Sequence, residues 1–85
     1  MTIDTITISV KDIMSDMLGF EAEQIKPEDT FKELGIDSLD HAELVLDLEE
    51  NFLIEITDQQ AEQMTTVGNC VSMIDTILKS ETPLP

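Results

Sequence analysis

The sequence predicts an all-α fold, a bundle of three main helices and a short third one, with a long loop between the first two. Three observations predict it. Apolar residues recur at the helical period in three separate segments, polar capping residues stand ahead of the later ones, and residues 20–36 carry no sustained period at all. With 85 residues there is room for one domain over 1–85, whose folding buries only about two-thirds of the surface an unfolded chain exposes. A hydrophobic content of 41% with three Phe and neither Trp nor Tyr leaves the core to Ile, Leu, Val and Met.

The first helix is expected over 3–18, where Ile3, Ile6, Val10, Ile13, Met14, Met17 and Leu18 share one face. Ile6, Ile8 and Val10 also alternate as a strand does, and β-branched neighbours lower helix propensity, so its opening competes with an extended form. Gly19 suits the position past a helix end, where a left-handed residue closes the last turn. In the loop that follows, Pro27, Thr30 and Gly35 punctuate the chain, and Phe31, Leu34 and Ile36 are its expected anchors in the core.

A second helix is expected over 37–51, with Asp37 as N-cap and Asp40 where a capping box places its acid. Thr57 is positioned to cap a short helix over 58–63, and Thr65 or Thr66 a last one over 66–79. In that last helix Val67, Cys70, Val71, Ile74, Ile77 and Leu78 form an apolar face. The tail, 80–85, is expected to fray.

The second helix is apolar on two sides. At 100° per residue, Leu44, Val45, Leu48 and Phe52 cluster with His41 on a core face, while Leu39, Ala42 and Leu46 lie nearly opposite among Glu43, Glu49 and Glu50. Exposed leucines and solvated acids are ordinary on soluble proteins. The alternative is a docking strip, in which carboxylates steer a basic partner and the apolar residues supply a modest contact.

Nineteen Asp and Glu against four Lys and no Arg give a formal net charge of -15, which excludes nucleic acid and anionic membranes as partners and points to proteins with basic surfaces. Nothing in the N-terminal segment reads as a signal peptide, no segment approaches a membrane span, and the lone Cys70 forms no internal disulfide. A cytoplasmic monomer is expected.

The segment GIDSLDHAELVLDLEENF sets Ser38 at the mouth of the second helix, within Gly35-Ile36-Asp37-Ser38-Leu39-Asp40. It resembles the attachment motif of acyl carrier proteins, and the resemblance continues through Glu43, Leu44, Val45, Leu48, Glu49 and Glu50. It extends on through Glu55, Ile56, Asp58, Ala61, Glu62, Met64, Thr65, Thr66 and Val67. The resemblance implies a four-helix acyl-carrier-like bundle without catalysis of its own. It implies a 4'-phosphopantetheine, derived from coenzyme A, joined to Ser38 by a phosphodiester, with acyl chains held on it as thioesters. Implied partners are a phosphopantetheinyl transferase and acyl-processing enzymes with basic docking patches, contacted through Asp37, Leu39, Asp40, Glu43, Leu46, Asp47, Glu49 and Glu50. An acyl chain folding back between the helices would meet His41, Leu44, Val45, Leu48, Cys70, Val71 and Ile74.

The acid before Ser38 and the Glu-rich second helix resemble carriers of fatty acid biosynthesis; Leu53, Ile54 and Thr57 form a more apolar, proline-free second loop, which keeps a polyketide or other dedicated carrier as an alternative. A different alternative is an unmodified acidic interaction module. Ser38 and His41, three residues apart, raise a hydrolase reading, but so small a domain offers little room for a water-excluding cleft with an oxyanion hole. His41 departs from the small polar residue common at its position in the family. It reads as a core-edge histidine with one nitrogen in water, or as a residue that reshapes acyl-chain access. Cys70 and the five Met read as core, and no stretch carries EF-hand spacing, so no metal site is expected.

Overall fold

Competition between helix and strand at the N-terminus is settled by the cap. In the computed structural model, which describes residues 2–19 and 21–80 (Ser80 through its backbone alone), the Thr2 side chain accepts the Thr5 N–H and opens helix α1, Ile3–Leu18. Ile6, Val10 and Met14 are buried there while Ile8 stays largely exposed, so a period of 3.6 wins over a period of two. Gly19, left-handed at φ 78°, donates its N–H to Ser15 O and closes the helix as expected.

Residues 21–37 are ordered by short-range caps and by long-range pairing rather than by period. Glu21 and Gln24 close a reciprocal capping box around a 3-10 turn at Ala22–Gln24, an element the sequence did not announce, and Ile25 behind it is as buried as any helix residue. Phe31 and Ile36 are buried as expected, with Leu34 packed beside them. The loop is sewn to the start of the last helix: Phe31 N–H donates to Thr65 O, Val67 N–H to Asp29 O and Gly68 N–H to Pro27 O, around an isolated antiparallel bridge of Thr30 with Thr66. A side chain at position 68 would place its Cβ 3.1 Å from Pro27 O, which accounts for glycine at this approach.

Helix α2 spans Ser38–Phe52, one residue later than expected at both ends, because Asp37 is the cap itself: its Oδ1 accepts the Asp40 N–H at 2.9 Å. The reciprocal half of a box does not form here. Asp40 is one methylene shorter than the Glu or Gln the motif uses. The helix ends on Leu53 at φ 55°, the one non-glycine residue with positive φ among those described.

Thr57 and Gln60 do form a full capping box, opening α3, Asp58–Gln63. Thr66 Oγ1 accepts the Asn69 N–H and opens α4, Val67–Ser80, again one residue later than expected; the rest of the tail, 81–85, lies outside the described residues. Helix α1 packs against both α2 and α4. Helix α3 contributes no buried residue; Ile56 before it and Met64 after it are the buried ends by which it is held. Cys70 is fully enclosed, and burial pushes its thiol up to about 12, so it is protonated and unreactive at neutral pH.

Candidate functional site

Ser38 is the first residue of α2, exposed, and its hydroxyl has no hydrogen-bond partner among the described residues. Gly35, at φ 82°, makes the left-handed step that lifts the chain out of the loop and into the Asp37 cap. The Asp37 side chain occupies the Asp40 N–H, while the N–H groups of Ser38 and Leu39 belong to the unpaired first turn, the positive end of the helix.

Two open grooves meet at this serine. One, of about 620 Å³, runs between α3 and the loop and is lined by Phe31, Lys32, Ile36, Asp37 and Met64; the other, of about 510 Å³, lies between α2 and α3 along Ala42, Val45, Leu46, Glu49 and Ile56. Ser38, His41, Ala61 and Glu62 belong to both. His41 is the aromatic residue that the two grooves share. Its Nε2 donates to Met64 O at 3.2 Å and its ring lies tilted on Phe31, centroids 5.5 Å apart, so one ring nitrogen is bound to the backbone after α3 and the half-buried ring stands at the core edge. No hydrogen bond joins this ring to the Ser38 hydroxyl, so the Ser-His pair that a hydrolase would need is not formed in the structure.

The residues expected to line a cavity divide in two. His41 and Val45 line the grooves, whereas Leu44, Leu48, Cys70, Val71 and Ile74 are buried in the closed core. Lys32, which the sequence reading did not single out, is the basic residue of the Ser38 groove; one Lys in a loop of mixed charge carries no signal until the loop folds beside α2.

The residues expected to meet partners also separate. Leu39, at 81% exposure, Ala42 and Leu46, at 59%, stand outward as the second apolar face. Asp40, Glu43 and Asp47 border a groove shared with Asp12 and Asp16 of α1. Asp37 and Glu50 are exposed, and Glu49 is half-buried because its Oε2 accepts the Ile56 N–H at 2.9 Å. Glu49 therefore ties α2 to the segment entering α3, and its loss would loosen that segment as well as change the surface. No set of three or more His, Cys, Asp or Glu side chains among the described residues is placed to hold a metal ion.

Five carboxylates along the α1–α2 groove repel one another, and the whole chain carries a formal charge of -15. Raising ionic strength from about 0.01 to 0.15 M shortens the screening length from roughly 30 to 8 Å. The melting temperature is expected to rise with it by about 5 °C, equivalent to roughly 1 kcal/mol in a domain of this size. A melting temperature flat across NaCl and MgCl2 titrations would refute this electrostatic account.

The family described as "Phosphopantetheine attachment site" matches residues 9–74, which include the whole of α2 and α3 and both grooves. An acyl carrier protein from Enterococcus faecalis is similar in structure with a TM-score of 0.78 at 36% identity, covering 91% of this chain and 99% of that one. An acyl carrier protein from Thermotoga maritima matches with a TM-score of 0.79 at 28% identity, covering 91% of each chain. No helix among the described residues is long and apolar enough to cross a membrane. A helical fold shared along nearly its full length with these carriers, together with the family match, makes this chain a member of the phosphopantetheine attachment family, an acyl-carrier-type protein rather than an enzyme.

Proposed function

We propose that this chain, as one carrier domain in the cytoplasm, carries acyl intermediates through Ser38 and delivers them to enzymes of fatty acid biosynthesis. The observation that carries the reading is the placement of Ser38: an exposed, unpartnered hydroxyl on the first turn of α2, where two grooves meet at the top of an acidic helix. These residues fit a phosphodiester. Lys32 in the same groove and the open N–H groups of the first turn oppose a phosphate charge, while Asp37 sits beside it as a like charge. When attached, 4'-phosphopantetheine supplies the thiol on which acyl groups are held as thioesters. Ser38 acts as a tether, and Asp37, Leu39, Asp40, Glu43, Leu46, Asp47 and Glu50 present the surface that basic enzymes recognise, with Glu49 shared between that surface and the α2–α3 tie.

The acid at 37 and the Glu-rich α2 favour the fatty acid pathway; the loop of Leu53, Ile54 and Thr57 favours a dedicated pathway such as polyketide assembly. The decisive test is the intact mass of the chain after incubation with coenzyme A, Mg²⁺ and a broad-specificity phosphopantetheinyl transferase. A gain of one phosphopantetheine is expected. No gain, in a chain not already modified, would leave the acidic interaction module as the function.

His41 sets a second expectation. With the ring gone in His41→Thr, the bond to Met64 O and the ring's share of both groove linings are lost, at a stability cost of about 1 kcal/mol. Partner synthases offered acyl-loaded protein should then extend longer chains relative to short ones. An unchanged chain-length profile would make His41 a residue of the core edge only.

A further inference from the structure

Helix α2 needs its left-handed last step, but it does not need leucine there. The step at φ 55° turns the chain so that Ile54 reaches the core and Ile54 N–H bonds back to Glu49 O, a turn that Gly or Asn makes with less strain. Leu53 takes up that strained conformation and returns nothing to the fold: it is 87% exposed, the most exposed large apolar residue among those described. A residue unfavourable in backbone and unburied in side chain calls for a role outside the folded chain.

Its position indicates the role. Leu39, Leu46 and Leu53 recur at intervals of seven, with Ala42 between the first two, so Leu53 falls where the next step of the outward strip belongs. It lies about 22 Å along the helix axis from Ser38. Exposed Glu50 and half-buried Asp47 border the strip, and α2 carries no Lys or Arg.

Resting on the carrier reading above, we infer that Leu53 is a distal apolar anchor for a partner enzyme, entering an apolar socket bordered by Lys or Arg. Charge selects that occupant. A second copy of this chain would bring the same acids face to face, and an anionic membrane would repel them. Near Ser38 the contact is fixed by the tether; a contact at the far end of α2 sets the angle at which the helix lies on the enzyme.

The test uses the phosphopantetheine-loaded full chain and, as probe, a purified β-ketoacyl synthase of a dissociated (type II) system. Native protein, Leu53→Asn and Leu53→Gly are compared by calorimetric Kd, melting temperature and sedimentation. Both variants are expected to melt at or above the native temperature, to accept phosphopantetheine normally, and to bind the synthase about tenfold more weakly, the effect of losing a buried leucine contact. Equal Kd for native and variant protein, absence of binding by both included, overturns the inference while leaving the carrier reading intact. A melting temperature lowered in both variants overturns it by giving Leu53 a role in the fold, and native dimers that Leu53→Asn dissolves would reassign the anchor to self-association. Failure of the native chain to gain phosphopantetheine defeats the carrier reading separately.

Discussion

Ser38→Ala abolishes the gain of phosphopantetheine completely and leaves the fold unchanged. Both halves of that result follow from the position of the residue. Ser38 is exposed, its hydroxyl makes no hydrogen bond among the described residues, and it stands one step inside a helix capped by Asp37, so that hydroxyl contributes nothing to the bundle. Alanine is the best helix former, and the Asp37 to Asp40 cap does not involve the side chain at 38. The melting temperature of Ser38→Ala should lie within about 2 °C of the native value, the range of surface substitutions in a domain this small. Intact mass after exposure to transferase and coenzyme A reads the first half, and a thermal melt the second. A mass gain that persists in Ser38→Ala would move the attachment to another side chain and undo the assignment.

The second large effect separates the two apolar faces of α2. Leu48 is fully buried and Leu46, two residues away, is 59% exposed. Leu48→Ala removes buried methyl groups from a core that cannot collapse around them, at a cost of about 3 kcal/mol. In a small domain whose whole stability is of order 5–15 kcal/mol, that corresponds to a fall in melting temperature on the order of 15 °C. Leu46→Ala should change stability by less than about 0.5 kcal/mol. Because the residue type, the helix and the substitution are the same, only the facing differs. Urea titrations of both variants measure the contrast, and comparable losses would mean that α2 does not present one face to the core and one to solvent.

Much of this architecture is local chemistry and was legible as such. Asp37 and Thr57 cap the helices they were expected to cap, Thr66 is the one of the two threonines offered for the last helix that does so, and the outward strip of Leu39, Ala42 and Leu46 follows from angular position alone. What stayed hidden depends on segments remote in sequence. The 3-10 turn at Ala22–Gln24 is too short to show a period, and Ile25 is buried only because other segments close over it. The bonds from His41 to Met64 O and from Ile56 N–H to Glu49 join residues seven and more apart. Periodicity showed that Leu44, Leu48 and Ile74 point inward; it cannot show which residues meet there, and in the structure all three are buried in one core cluster. Lys32 became part of the site only through the bonds that seat the loop on α4.

Helix α3 has six residues, none of them buried, and is fastened at its two flanks by Ile56 and Met64 and by the two bonds from α2. A free peptide of that length would not hold a helix in water. Its free energy of opening is therefore separable from that of the α1, α2 and α4 body, and its amides should exchange with solvent through local excursions while those around Val10 and Ile74 wait for global unfolding. Both grooves at Ser38 have α3 or its flanks as one wall. Their width is thus set by a short element held only at its flanks, so that room for a cargo is gained by releasing one short segment and without melting the bundle that carries it.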